Sequence, residues 1–261
     1  MLLQYAQERS TSMRLIFIRH AEPDYEHNTL TKKGFREAEI LSNRVGTWKN
    51  IEKVYVSPLE RAKLTAAPSL AKLHMNAITV NWLQEFTYMI KDPTTGNYPQ
   101  VPWDFMPQYW TSQKQLQDPE DFVNHPIMPQ VYRRAVTNLR NGLDEILSGY
   151  GYHRYGDYYR TDDEKVNGDE EKTLLFFGHL GANSEAIAYL VGISPVVLQQ
   201  TVYQAPTSVA VLNFEKRQKG IAMARIQVIG STMHLVQAGE PVSLMGSFAP
   251  VLQENMDESF H

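Results

Sequence analysis

Short, continuous apolar runs alternate along the chain with stretches whose apolar positions recur every three or four residues. Leu15 to Ile18, Lys53 to Val56 and Thr173 to Phe177 are runs of the first kind, partly β-branched and almost free of polar positions. A half-solvated strand would alternate, so such runs predict strands buried on both faces of a parallel sheet. Ala77 to Leu83 does alternate, through Ile78, Val80 and Trp82, and reads as a further strand. Ser208 to Phe214 and Ile221 to Ile229 read as two more, separated by the turn-like Lys216 to Gly220.

Between these runs the period changes. Phe35, Ala38, Ile40, Leu41 and Val45 fall roughly at helical spacing, behind Thr31 as a candidate N-cap and ahead of Gly46 as a helix end. A second helix starts just after Ser57-Pro58, and Pro68 is expected to kink or restart it. A long helix is predicted from Pro129 to Leu147, ended by Gly149. Its inner face would carry Val131, Ala135, Leu139, Leu143, Ile146 and Leu147. Further helices are expected at Ala182 to Val191 and Pro195 to Gln200. The alternation predicts an α/β fold, a mostly parallel sheet with helices on both faces.

Three stretches break the pattern. Residues 1–13 read as a polar leader, ahead of one domain spanning 14–261. From about 86 to 130, prolines (among them Pro93, Pro102, Pro107 and Pro119) alternate with aromatics (Tyr88, Trp103, Phe105, Tyr109 and Trp110). So many prolines argue against regular sheet and so many aromatics against disorder, so this reads as an ordered insertion over the strand edges. From about 150 to 172 the chain is tyrosine-rich around Gly156-Asp157, a two-residue hairpin signal, and then charged, as a solvated loop.

Composition narrows the function classes. The chain of 261 residues is 43% hydrophobic, with a net charge of −4 and no long basic run, which makes nucleic acid or an anionic membrane a poor partner. There are no cysteines, so disulfides, cysteine-rich zinc sites and thiolate nucleophiles are all excluded. No leading stretch has the apolar length of a signal peptide or a membrane span, and a cytoplasmic protein is the default expectation. The pattern carries no oligomeric signature.

Candidate chemistry gathers where the strands end. Arg19-His20, Ser57-Pro58-Leu59-Glu60-Arg61-Ala62, Leu83-Gln84-Glu85 and Gly178-His179 all stand at or just after a predicted strand. In open α/β sheets, ligands bind beyond the carboxyl ends of the strands. Two arginines, two histidines and one carboxylate are what phosphoryl transfer through a phosphohistidine needs. Arginine forks suit phosphoryl oxygens, one imidazole can attack phosphorus, and a carboxyl group can protonate the departing alcohol and later activate water. Taken alone, Arg61 would be a helix-surface arginine and Arg19-His20 a polar strand end.

The ordered set resembles the histidine phosphatase (phosphoglycerate-mutase-like) superfamily. The resemblance rests on Arg19-His20-Ala21, Leu30-Thr31-Lys32-Lys33-Gly34, Ser57 to Ala62 with Thr65-Ala66, Leu83-Gln84-Glu85 and Gly178-His179-Leu180. It spans roughly 14–235, with 86–169 matching poorly. It implies a three-layer α/β/α sandwich and no metal or other cofactor. By the same resemblance His20 is the phosphate acceptor, Arg19, Arg61 and His179 form the phosphate pocket, and Glu85 is the proton donor. Ala21 and Leu180 depart from the pattern, standing where the family usually has glycine.

Other polar residues read more plainly. Glu22 is expected to be an exposed loop carboxylate. His27 lies close enough in sequence to contact substrate. His74, His125, His153 and His261 are expected to face solvent, and His234 to be structural. A phosphatase and a mutase would share the same five groups, passing the phosphoryl group to water or to a second hydroxyl. The 86–130 stretch holds only Lys91 and Lys114 against Asp92, Asp104, Asp118, Glu120 and Asp121, a poor wall for a polyanion. Its aromatics would suit an uncharged or ring-bearing leaving group, or simply pack the insertion. The expected activity is hydrolysis of a small phosphomonoester. The alternatives are a mutase and, further off, a non-catalytic phosphate-binding or interaction module.

Overall fold

The computed structural model describes residues 13–95, 99–166 and 171–247. The polar leader and His261 lie outside these residues, Met13 excepted. The first strand, β1 (Arg14–Arg19), is followed by α1 (Lys32–Val45), β2 (Ile51–Val56), α2 (Glu60–Leu73) and β3 (Ala77–Thr79). After residues 80–129 come α3 (Gln130–Gly149), β4 (Tyr152–Tyr155) and β5 (Tyr158–Thr161), then β6 (Thr173–Gly178), α4 (Leu180–Val191) and α5 (Pro195–Thr201). A long hairpin, β7 (Val209–Gln218) and β8 (Ile221–Ser231), and a short helix, α6 (Met233–Ala238), complete the order.

One eight-stranded sheet carries all of these strands in the order β3-β2-β6-β1-β7-β8-β5-β4. The neighbours β3, β2, β6 and β1 pair in parallel, and the remaining pairs are antiparallel. Only β7 and β5 run against the common direction, so the sheet is mostly parallel in sense. Its two faces are both covered, which is why the central strands read as unbroken apolar runs. Ile16 and Ile18 face Leu41, Val45, Ala62 and Ala66 of α1 and α2. Leu15 and Phe17 face the larger cluster that includes Leu139 and Leu143 of α3 and Ala186 and Ile187 of α4. Each fully buried side chain of this size contributes roughly 1.5–3 kcal/mol. The result is a three-layer α/β/α sandwich.

Local signals explain most boundaries. Thr31 caps α1 by accepting from the Gly34 N–H at 2.9 Å, and its hydroxyl donates to Glu22 Oε1. Gly34 is needed because a Cβ there would collide with the Glu22 carbonyl.

Four expectations are corrected. The alternating stretch 77–83 is a strand only to Thr79. Its single neighbour, β2, ends at Val56, and the chain then tightens into a 3₁₀ turn at Asn81–Leu83. Pro68 lies inside α2, which continues through it to Leu73 rather than restarting there. The buried face of α3 is Tyr132, Val136, Leu139, Gly142, Leu143 and Leu147, with Val131 exposed. It matches the expected face at Leu139, Leu143 and Leu147 and departs from it at the start of the helix, where Tyr132 and Val136 are buried rather than Val131 and Ala135, with Tyr132 packed beside Phe86 and Phe122. His125 is buried rather than solvent-facing, packed edge-on against Tyr109.

Candidate active site

Strand register brings the chemistry together. In the parallel β1–β6 pair, Arg19 lies opposite Gly178, so His20 and His179 leave the sheet side by side. Val56 lies opposite Phe177 in the β2–β6 pair, which places Ser57 beside the same edge. Backbone bonds extend the ladder past the strand ends, from His20 N to Gly178 O at 2.9 Å and from Ser57 N to Phe177 O at 2.9 Å. The imidazole centroids of His20 and His179 are 5.1 Å apart.

Both imidazoles are buried and have defined neighbours. His20 Nδ1 lies 2.7 Å from the Ala21 carbonyl, an acceptor only, so Nδ1 carries the proton and Nε2 keeps a free lone pair. Burial and the charges of Arg19 and Arg61 hold the His20 pKa well below its usual value. His179 is fully buried, with Nε2 2.7 Å from Ser57 Oγ. Ser57 Oγ accepts from the Leu59 N–H and still holds one hydrogen that it can donate to His179 Nε2, the arrangement that puts the ring proton on Nδ1. Burial first, then His20, Arg61 and Arg19, push the His179 pKa down as well.

The two arginines come from different elements. Arg19, the last residue of β1, is buried, and its Nη1 donates to the carbonyls of Gln204 at 2.6 Å and Met245 at 3.0 Å. A Cβ at Gly246 would press into the same guanidinium, so the segment through 245–246 closes on it without a side chain. Arg61 sits in the first turn of α2, its guanidinium carbon 5.5 Å from the Tyr25 ring centre. Three buried donors at this edge have no hydrogen-bond partner: Arg19 Nε, Arg61 Nε and His179 Nδ1. Buried donors are almost always paired in native proteins, so a cluster of unpaired ones marks a site for an acceptor.

Glu85 reaches the site from beyond the 3₁₀ turn. Its carboxylate accepts from the N–H groups of Phe86, Gly181 and Ala182 at 3.0, 3.3 and 3.1 Å, two of them at the start of α4. Burial raises its pKa above the usual carboxyl value, opposed by these three N–H groups and by Arg19. The structure thus gathers Arg19, His20, Arg61, Glu85 and His179 in one place.

Both departures from glycine are accommodated. Ala21 is fully buried against Leu30 and Ala38, and its N–H donates to Thr65 Oγ1 at 2.9 Å. Leu180 opens α4, and it is Gly181 that must stay small, since a Cβ there would collide with Trp103 and lie 2.7 Å from Glu85 Oε1.

Other expectations divide. Glu22 is half-buried rather than exposed: its carboxylate accepts from Thr31 Oγ1 and Ser243 Oγ, and its N–H donates to Glu37. His27 is exposed and paired with Asp24. His234 is buried, its Nε2 3.1 Å from the hydroxyl of Thr207, whose N–H donates to the His20 carbonyl. Sequence reasoning missed Ser57 as the partner of His179, although it stands in the quoted run. It also missed Tyr25, Gln204 and Met245, for which no local signal exists, because the last two act through backbone carbonyls.

Among the described residues, no group of three or more His, Asp or Glu side chains is placed to hold a metal ion, and no helix is long and apolar enough to cross a membrane. A family model described as the histidine phosphatase superfamily (branch 1) matches residues 15–151. No curated protein sequence matches the chain. Among solved structures, mycobacterial glucosyl-3-phosphoglycerate phosphatase is similar in fold, with a TM-score of 0.56 at 15% identity over 85% of this chain and 100% of that one. Phosphoserine phosphatase from Entamoeba histolytica gives 0.52 at 17% identity, over 85% and 99%. Alpha-ribazole phosphatase from Shigella flexneri gives 0.51 at 18% identity, over 84% and 96%.

Proposed function

The chain belongs to the histidine phosphatase superfamily, and from that premise we propose that it is a metal-independent phosphomonoester hydrolase acting through a phosphohistidine on a small phosphorylated metabolite. The observation that carries this reading is the set of unpaired buried donors, Arg19 Nε, Arg61 Nε and His179 Nδ1, beside an imidazole whose Nε2 is free. His20 Nε2 attacks phosphorus as the bond to the leaving oxygen breaks, and the Glu85 carboxyl group gives that oxygen its proton. Arg19, Arg61 and His179 hold the equatorial oxygens, where charge is greatest in the transition state. The Glu85 carboxylate then takes a proton from water as its oxygen attacks phosphorus. The P–N bond breaks, and inorganic phosphate leaves with His20 neutral again.

The raised Glu85 pKa suits the acid half of this cycle, and the depressed His20 pKa suits the nucleophile. The solved relatives named as phosphatases support hydrolysis over phosphoryl return to a second hydroxyl. The test is turnover of p-nitrophenyl phosphate in excess chelator. Wild type is expected to turn over and His20→Ala to lose activity by more than about 10³-fold with an unchanged circular dichroism spectrum. Activity that chelator abolishes, or that His20→Ala retains, sinks the reading.

A further inference from the structure

The chain leaves α6 through Gly239, whose left-handed backbone (φ +69°) turns it. Residues 240–247 then form neither helix nor strand, but a strap fixed at three points. Glu240 accepts from Arg36 of α1, from Nε at 3.1 Å and Nη2 at 2.9 Å. The buried Ser243 donates from Oγ to Glu22 Oε2 at 2.6 Å, and its carbonyl accepts from the Tyr203 hydroxyl at 2.6 Å. The Met245 carbonyl accepts from Arg19 Nη1 at 3.0 Å. Two of these anchors, Arg19 and Glu22, flank His20 in the chain. Leu244 is 79% exposed and Met245 39%, so polar contacts hold this end of the strap, and they end on the phosphate pocket.

The third anchor constrains the guanidinium. Nη1 carries two hydrogens, and the carbonyls of Gln204 at 2.6 Å and Met245 at 3.0 Å take both. Gly246 lies against the same end of the group. A Cβ there would stand 2.5 Å from Nη1, 2.7 Å from Nη2 and 3.0 Å from the guanidinium carbon. The strap therefore covers the edge between the two terminal nitrogens. The edge formed by Nε and Nη2 is turned away from it, and Nε has no partner among the described residues. Such an edge is a fork that grips two oxygens of one phosphoryl group. Gln204 alone would fix one hydrogen; the second carbonyl fixes the plane.

We propose that residues 240–247 are a positioning strap for Arg19. By filling Nη1 and closing over the edge between Nη1 and Nη2, they aim the fork of Nε and Nη2 at the phosphoryl group and so set phosphate affinity. The proposal rests on the phosphate pocket of the hydrolase reading and on none of its proton transfers.

The test measures orthophosphate affinity of the full chain by isothermal titration calorimetry, with p-nitrophenyl phosphate turnover alongside. Gly246→Ala puts a methyl group against the guanidinium, on a backbone (φ +88°) that favours glycine. Whether the guanidinium or the strap gives way, the clamp is lost. Orthophosphate affinity is expected to fall about tenfold, the scale of one charge-assisted hydrogen bond, and KM for the aryl ester to rise with it. Ser243→Ala, which unties the strap from Glu22, should weaken orthophosphate about threefold. Both variants should keep the wild-type urea midpoint. In Arg19→Lys, which keeps the charge but has no fork, the same substitutions should change affinity and kcat/KM by less than about twofold, whereas a general loss of structure would act equally in both backgrounds. Unchanged or tighter orthophosphate binding in the strap variants overturns the proposal, and so does equal weakening in Arg19→Lys. Wild type that binds orthophosphate without turning over the aryl ester overturns the hydrolase reading and leaves the strap to be judged by the affinities. Wild type that binds no orthophosphate overturns both.

Discussion

At the residue scale, the site works by fixing where protons sit. His20 and His179 are each kept neutral by burial and neighbouring arginines, while Glu85 is pushed the other way. Glu85→Gln should therefore slow an alkyl phosphate by about 10²–10⁴-fold, the usual worth of a positioned general acid, and p-nitrophenyl phosphate far less. In wild type, kcat/KM for the alkyl ester should fall as pH rises through the elevated Glu85 pKa, and that alkaline limb should be absent from Glu85→Gln. Equal losses on both esters count against the acid role. His234 gives a stability prediction of definite sign. Burial and Arg44 lower its pKa from 6.5 to about 4, so between those values the unfolded chain binds a proton that the folded chain does not. Its contribution is fully present above pH 6.5 and is lost as pH falls toward 4. Urea unfolding of wild type and His234→Gln at pH 7 and pH 4 should show the difference between them shift by about 2 kcal/mol in the variant's favour at pH 4. Of these residues, Arg19, His20, Arg61, Glu85 and His179 were legible because each stands in a short local pattern at a strand end. Ser57's grip on His179 was hidden by a separation of 122 positions in the chain.

At the element scale, periodicity located most strands and helices and erred where neighbours intervened. The run at 77–83 has a strand's alternation, but a strand needs a partner along its whole length, and β2 is too short to supply one. The first turns of α3 bury Tyr132 and Val136 instead of Val131 and Ala135, because Tyr132 packs wholly buried among aromatics. Gly142 on that helix shows how packing outweighs propensity. Alanine in place of a helix-interior glycine ordinarily adds about 1 kcal/mol. Here its Cβ would enter the Trp82 ring, and overpacking of that kind costs about 1–3 kcal/mol. Gly142→Ala is thus expected to lower stability by about 1 kcal/mol or more in urea titration, against the propensity scale. A stabilised variant would show that the Trp82 turn moves aside freely.

At the scale of the whole molecule, one buried ion pair joins the residues after β3 to the sandwich. Arg140 of α3 bonds Glu185 of α4 at 2.9 Å, Glu120 at 2.9 Å and the Pro119 carbonyl at 2.9 Å, and stacks over Tyr189. Glu185 is fully buried, so Arg140→Met leaves a carboxylate without its counter-ion and should cost about 3–5 kcal/mol, most of it regained in Arg140→Met/Glu185→Gln. Breaking the exposed Arg225–Glu215 pair should cost less than about 1 kcal/mol. Chemical denaturation of the three variants distinguishes the cases. The sequence by itself determined where most strands and helices lie, and that candidate phosphate-binding groups stand at the strand ends, because periodicity, caps and short motifs are local. It did not determine that β6 lies between β1 and β2, that the ring of His179 rests on Ser57, or that carbonyls from residues 204 and 245 close on Arg19. Those depend on strand pairing, register and backbone carbonyls, which any side chain can carry, so only the tertiary structure decided them.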